Sequence, residues 1–252
     1  PLIRGVVSFV DSLVVGTKCL MYSAEIAGDE EDEEDKQKNA ALSEEELAAK
    51  KAKEDKQFKW LLYVTVAVSI VVSVAAFMLL PYALASLCRR VGASEFAVTI
   101  VEAFVKLALF MGYMLLISRM KDIQRTFMYH GAEHKCINCI ENGMELTVEN
   151  AKKQTMVHKR CGTSFMLVVM FVSILLFMFI SVPNMWVRMV LRILLIPVIA
   201  GISFEFISLA GKSENPVINV LSKPGLWLQA LTTREPDDSM LEVAISSVEA
   251  VF

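Results

Sequence analysis

The sequence predicts an all-α integral membrane protein with about four transmembrane helices, an N-terminal interfacial helix, a polar motif loop and a C-terminal amphipathic helix. Three observations carry this. Of the 252 residues 55% are hydrophobic, and the mean hydropathy is +0.50. Trp60 to Cys88 is 29 residues without a charge. Cys161 to Val187 is a second uncharged run, bounded by Arg160 and Arg188. Both runs exceed the roughly 20 residues that cross a bilayer core.

Taken in order, residues 1–27 are apolar but interrupted by Asp11 and Lys18, as in a helix lying in the interface or partly inserted with those side chains wet. Residues 28–59 form an acidic linker and a charged helix. Asp29 to Asp35 is a run of seven acids, expected to be solvated, and Ser43-Glu44-Glu45-Glu46 has capping-box order. Residues 60–118 make a first transmembrane hairpin and 164–211 a second, around a motif loop at 119–163. In the C-terminal segment, 212–252, Lys223-Pro224-Gly225 marks a turn and Trp227 suits a membrane interface. Beyond Pro236, Asp237 or Asp238 can cap a helix. Its Leu241, Ala244, Ile245 and Val248 share one face, offered to the membrane surface or to a partner.

Lysine and arginine counts set the expected topology. Lys50, Lys51, Lys53, Lys56 and Lys59 precede the first span, and eight basic residues from Arg119 to Arg160 flank the motif loop. The intervening outer loops hold only Arg89 and Arg90. Both termini and the motif loop are therefore expected on the cytoplasmic side. A net charge of −3 supplies no basic field for nucleic acid, and the clustered cysteines fit a reducing compartment. The chain opens at Pro1 without Met or a signal-peptide pattern, which points to an N-terminus trimmed or not represented.

All three histidines and three of the five cysteines fall between His130 and Cys161. His130-Gly-Ala-Glu133-His134 puts two imidazoles one turn apart on a helix face, with Glu133 about 60° from His130. Two imidazoles, a carboxylate and an open position are what a metal needs to activate water, and the H-x-x-E-H order occurs where the glutamate is a general base. A second reading joins Cys136-x-x-Cys139 to His158-x-x-Cys161 as a closed zinc site. On a continuous helix, however, Cys136 and Cys139 lie opposite the imidazole face. A third set, His130 and His134 with either His158 or Cys161, takes ligands from both arms of the loop and is preferred. Zinc or another divalent metal is the expected cofactor. The structural alternative is that the cysteines serve as small buried apolar groups.

Four motifs carry a family resemblance: Tyr129-His-Gly-Ala-Glu-His-Lys135, Glu145-Leu-Thr-Val-Glu-Asn150, His158-Lys-Arg-Cys-Gly-Thr-Ser-Phe165 and Leu231-Thr-Thr-Arg-Glu-Pro-Asp-Asp238. From Arg4 to near its C-terminus the chain resembles the YqhQ-type family of bacterial membrane proteins, a domain of unknown function often labelled metal-dependent. The resemblance implies a bacterial inner-membrane location and matches His130, Glu133, His134, His158 and Cys161 to motif positions, with Arg160 and Arg234 alongside. Cys139 matches a usual Cys, but Ile140 stands where Tyr is typical, Lys159 replaces a usual Pro, and Cys136 is no motif position. The family also carries a glycine-rich segment ahead of the position of Pro1.

Within the spans, Glu102 and Lys106 are four apart, so they can pair along one helix face, and Glu205 lies in the last span. They either line an ion or solute path or pair to fix packing. Arg188 and Arg192 are expected to snorkel outward. Three functions follow. In a metal-dependent hydrolase at the membrane surface, Glu133 would be the general base and Arg160 the anion stabiliser. In a scaffold or assembly factor, the protein would bind itself or other membrane proteins. In a transporter, solute would pass by Glu102, Lys106 and Glu205, although the chain shows no internal repeat.

Overall fold

A computed structural model describes residues 2–28, 44–180, 182 and 185–251. The acidic run and Ser43 lie outside the described residues. Among the described residues all regular structure is helical: α1 (Leu2–Gly28), α2 (Glu44–Val74), a π-helical turn (Ala75–Leu79), α3 (Leu80–Arg90), α4 (Glu95–Ile117), α5 (Lys121–Glu141), α6 (Val148–Lys152), α7 (Gly162–Phe179), α8 (Met185–Lys212), α9 (Pro216–Thr232) and α10 (Asp238–Glu249). This is an all-α membrane protein. Five helices are long and apolar enough to cross a membrane, and the fifth, beyond the economical four, is Ile3–Ala24.

The chain forms two compact units, one of Pro1–Val7 with Ala85–Phe252 and one of Ser8–Leu84. The second is helical throughout its described length, and the apolar face of Trp60, Val64, Val68 and Val71 is open to its surroundings.

The first unit holds the motifs. Two of its spans, α4 and α7, start on side-chain caps: the Ser94 hydroxyl accepts from Ala97 N at 3.3 Å, and the Cys161 sulfur accepts from Thr163 N. Met114 of α4, Leu167 of α7 and Leu228 of α9 form one apolar core. Ala132 and Cys136 of α5, Ala151 of α6, and Met240, Leu241 and Ala244 of α10 form another. The segment expected as a motif loop is therefore mostly a helix pair. α5 ends where Gly143 takes φ +67°, a conformation that favours glycine.

Two expectations are corrected here. Lys223-Pro224-Gly225 is no turn: α9 runs through it, with Gly225 bare where the Ser164 side chain of α7 crosses. Pro224 removes one N–H from the helix ladder, and the packing of α9 on α7 offsets that loss; the Ser222 hydroxyl donates to Ile218 O at 2.8 Å one turn earlier. The apolar face of α10, expected to be offered outward, packs inside the chain. Leu241 and Ala244 are buried against α5, and Ile245 and Val248 flank them. Asp237 caps that helix as expected, accepting from Met240 N at 2.9 Å.

Candidate metal centre

α5 carries His130 and His134 on one face, and the closeness of its neighbours explains the glycine between them. A Cβ on Gly131 would lie 2.2 Å from Arg234 O, so only a bare position lets the 232–236 segment cross. That segment is held on both sides. Arg234 N donates to Phe127 O at 3.0 Å, and Arg234 Nη2 donates to Ser118 O at 3.0 Å. Lys135, buried, donates to Lys152 O and pairs with Glu235 at 2.6 Å. Lys152 in turn meets Asp238 at 2.6 Å.

One carbonyl from this crossing and one from the segment ahead of His158 meet the two imidazoles. His130 Nδ1 lies 2.8 Å from Thr232 O, and His134 Nδ1 lies 2.6 Å from Met156 O. A carbonyl can only accept, so each Nδ1 carries a proton; Nε2 then donates to the Cys161 sulfur when the ring is charged and offers a lone pair when the ring is neutral. Cys161 arrives at the first turn of α7, with Sγ 3.3 Å from His130 Nε2. One ligand atom each from His130, His134 and Cys161 lie within 4.8 Å of one another. Burial opposes ionisation of the Cys161 thiol, but hydrogen bonds from His130, His134 and Thr163 outweigh it and lower its pKa to about 5. His130 is raised above the ordinary imidazole value, chiefly by the bond to Cys161, with burial opposing.

The residues present fit a metal. Two imidazole nitrogens oriented by carbonyls and one thiolate make a borderline-soft donor set suited to zinc, and the Nδ1–carbonyl bonds are the usual outer shell of such ligands.

The remaining site residues sort by position. His158 stands beside the cluster, its ring centroid 5.7 Å from that of His134, but its Nε2 faces Glu141 at 3.3 Å. The same Glu141 carboxylate pairs with Arg160, whose stem passes over the bare Gly211. Glu133 is exposed and, among the described residues, makes no hydrogen bond or ion pair. Cys136 and Cys139 are fully buried away from the cluster. Cys136 lies in the α5/α10 core, where burial raises its thiol to about 11, and the Cys139 thiol donates to Glu145 O at 3.3 Å. The closed Cys-x-x-Cys arrangement is thus not formed, as the helix wheel anticipates.

Reasoning from sequence alone missed Gln229. Its amide is fully buried, accepts from His158 N at 2.9 Å and donates to His158 O at 2.7 Å, so α9 grips the backbone that leads to Cys161. A lone glutamine amid apolar neighbours was the available signal.

In the spans, Glu102 and Lys106 do pair, at 3.2 Å. Glu205 pairs with Arg4 at 2.7 Å, near where Gly5 and Gly201 come together. Thirteen residues of α8 separate Glu205 from Arg192, about 20 Å along the axis, so the three polar residues form two groups. The outward snorkelling of Arg188 and Arg192 is corrected. Both side chains are largely buried: Arg192 pairs with the buried Glu102 at 2.5 Å, and Arg188 donates to Val182 O at 2.9 Å with the exposed Glu95 3.7 Å away.

The family model described as "Protein of unknown function (DUF1385)" matches residues 1–252. The uncharacterized protein YqhQ of Bacillus subtilis (strain 168) is 37% identical over 257 residues, covering 98% of this chain and 75% of that protein. No solved structure matches the chain.

Proposed function

The chain belongs to the DUF1385 family, whose function is unknown, and we propose that it is a metal-dependent hydrolase acting on acyl bonds at the cytoplasmic surface of the bacterial inner membrane. One observation carries the reading. Both imidazoles commit Nδ1 to a carbonyl, so their Nε2 atoms converge with a readily ionised thiol. His130, His134 and Cys161 would hold a zinc-class ion. Three protein ligands are the catalytic count, whereas closed structural sites take four, and His158 is turned to Glu141.

When bound, the ion supplies a Lewis acid that makes water a nucleophile near neutral pH. The chain's own residues do the rest. Glu133, exposed and without a hydrogen-bond or ion-pair partner among the described residues, would take the proton of the attacking water and return it to the leaving group. Arg160, held ready by Glu141, stabilises the anion that develops on the acyl oxygen. The Thr232 and Met156 carbonyls keep both imidazoles in the ligating tautomer. The cytoplasmic placement rests on the lysines and arginines flanking this segment.

The test is turnover of short acyl ester and amide probes by zinc-loaded protein in detergent, wild type beside Glu133→Gln. Loss of about a hundredfold or more in kcat at unchanged metal content is expected. Equal rates in both proteins, or no turnover by metal-loaded wild type, would contradict the reading.

A further inference from the structure

α9 has two faces, and the metal centre accounts for only one of them. Ser222, Gly225, Gln229 and Thr232 lie on its buried face. From there Gln229 grips the backbone at His158, and Thr232 O meets His130. Val217, Val220, Pro224, Trp227 and Leu231 recur at i, i+3, i+7, i+10 and i+14, a second and apolar stripe at the helical period. Leu221 and Leu228 sit beside it. At its C-terminal end this stripe is packed, since Leu228 is buried with Met114 of α4 and Leu167 of α7, and Leu231 joins them. Ahead of that end it is bare, with Val217 64%, Val220 58%, Leu221 58% and Trp227 73% exposed.

The neighbouring spans identify what surrounds the bare part. Gly225, Gln229 and Thr232 cover about two turns of α9, yet all meet α7 at Thr163 or Ser164, within its first turn. A helix running alongside α7 would spread those contacts over an equal length, so α9 lies across the end of that span. Met114 is three residues from the end of α4, and Leu167 is five residues into α7. The packed part of the stripe therefore lies about 5–8 Å inside the ends of both spans. An amphipathic helix seats its apolar face to a similar depth, about 5–10 Å into the boundary between headgroups and acyl chains.

At this depth the spans themselves expose apolar residues, Leu115 and Leu116 of α4 and Met166 of α7, as lipid-facing surfaces do. The bare stripe continues that surface, which favours lipid over a partner protein as its cover. Lys223, four residues before Trp227, and Lys212 at the end of α8 are exposed and, among the described residues, make no hydrogen bond or ion pair. Tryptophan and lysine together anchor helices at a headgroup boundary, and lysine charge suits anionic lipid. We propose that α9 is an interfacial helix, with Val217, Val220, Leu221 and Trp227 seated in lipid at the headgroup–acyl boundary. The helix that orients His130 by one face is then held by the bilayer on the other, and the metal centre sits at headgroup depth.

The test uses the full chain in nanodiscs of phosphatidylcholine and phosphatidylglycerol, with Trp60→Phe and Trp186→Phe leaving Trp227 as the sole tryptophan. Phosphatidylcholine brominated high on the acyl chain, the same lipid brominated near the chain end, and aqueous iodide are compared as quenchers. The expected result is loss of most Trp227 fluorescence to the high bromines, less to the deep ones and little to iodide. Wild type beside Trp227→Phe gives the same reading as a difference, should the double variant fail to fold. Quenching by iodide alone would show a wet face and overturn the proposal. Protection from all three quenchers would overturn it as well, because protein then covers the face, a second copy of this chain or another molecule. Stronger quenching by the deep bromines than by the high ones would place α9 in the bilayer core and contradict the interfacial seat.

Discussion

Cys161 Sγ lies 3.3 Å from His130 Nε2, although 31 residues separate them in the chain, and Thr163 N donates to the same sulfur from the first turn of α7. The pairing is set from outside both residues. Thr232 O fixes the imidazole by its other nitrogen, and Gln229 fixes the backbone ahead of the cysteine. A helix start favours negative charge, so the sulfur sits where a thiolate is stable.

The first consequence is a thiolate at neutral pH. Ultraviolet thiolate absorbance should show a step near pH 5 in wild type that is absent from Cys161→Ser, because hydrogen bonds to the sulfur overcome burial. Cys136 should ionise only at about 11. A first step in the ordinary thiol range, roughly pH 8 to 9, would contradict the geometry.

Metal affinity should fall on acidification, since ligating nitrogens and sulfur must be deprotonated. His130 is raised above its ordinary value, so proton competition there sets in on the alkaline side of 6.5, whereas Cys161 resists protonation down to about 5. Zinc affinity measured against a chromophoric chelator should therefore weaken first through the imidazole. A curve flat across about pH 5 to 8 would rule out histidine ligation.

Gly131→Ala should lower the melting temperature markedly and loosen the site, because the added carbon falls 2.2 Å from Arg234 O in a backbone crossing that cannot yield cheaply. The cost expected of such overpacking is about 1–3 kcal/mol. Gly112→Ala, with open space around it, is the control and should be close to neutral. Equal melting temperatures for the two variants would show that the crossing is not tight.

What could be read from sequence was whatever a single helix decides. The 3.6-residue period placed His130 and His134 together and turned Cys136 and Cys139 away, and uncharged runs located the spans. What could not be read was carried by tertiary contact. No local pattern says that the Thr232 and Met156 carbonyls will meet two imidazoles. Nor does any local pattern turn Arg192 inward, since that depends on Glu102 lying on a helix some ninety residues earlier. Pro224 misled for the same reason, because a local helix breaker was overruled by α9 packing on α7. The choice between His158 and Cys161 as third ligand needed the position of Glu141.

The central claim is that His130, His134 and Cys161 hold a metal. The most direct measurement is elemental mass spectrometry of the detergent-purified protein, wild type beside His134→Ala, with folding checked by circular dichroism. The account predicts about one zinc-class ion per chain in wild type and its loss in the folded variant. Folded wild type without metal after growth and purification in zinc, or equal metal in both proteins, would contradict it.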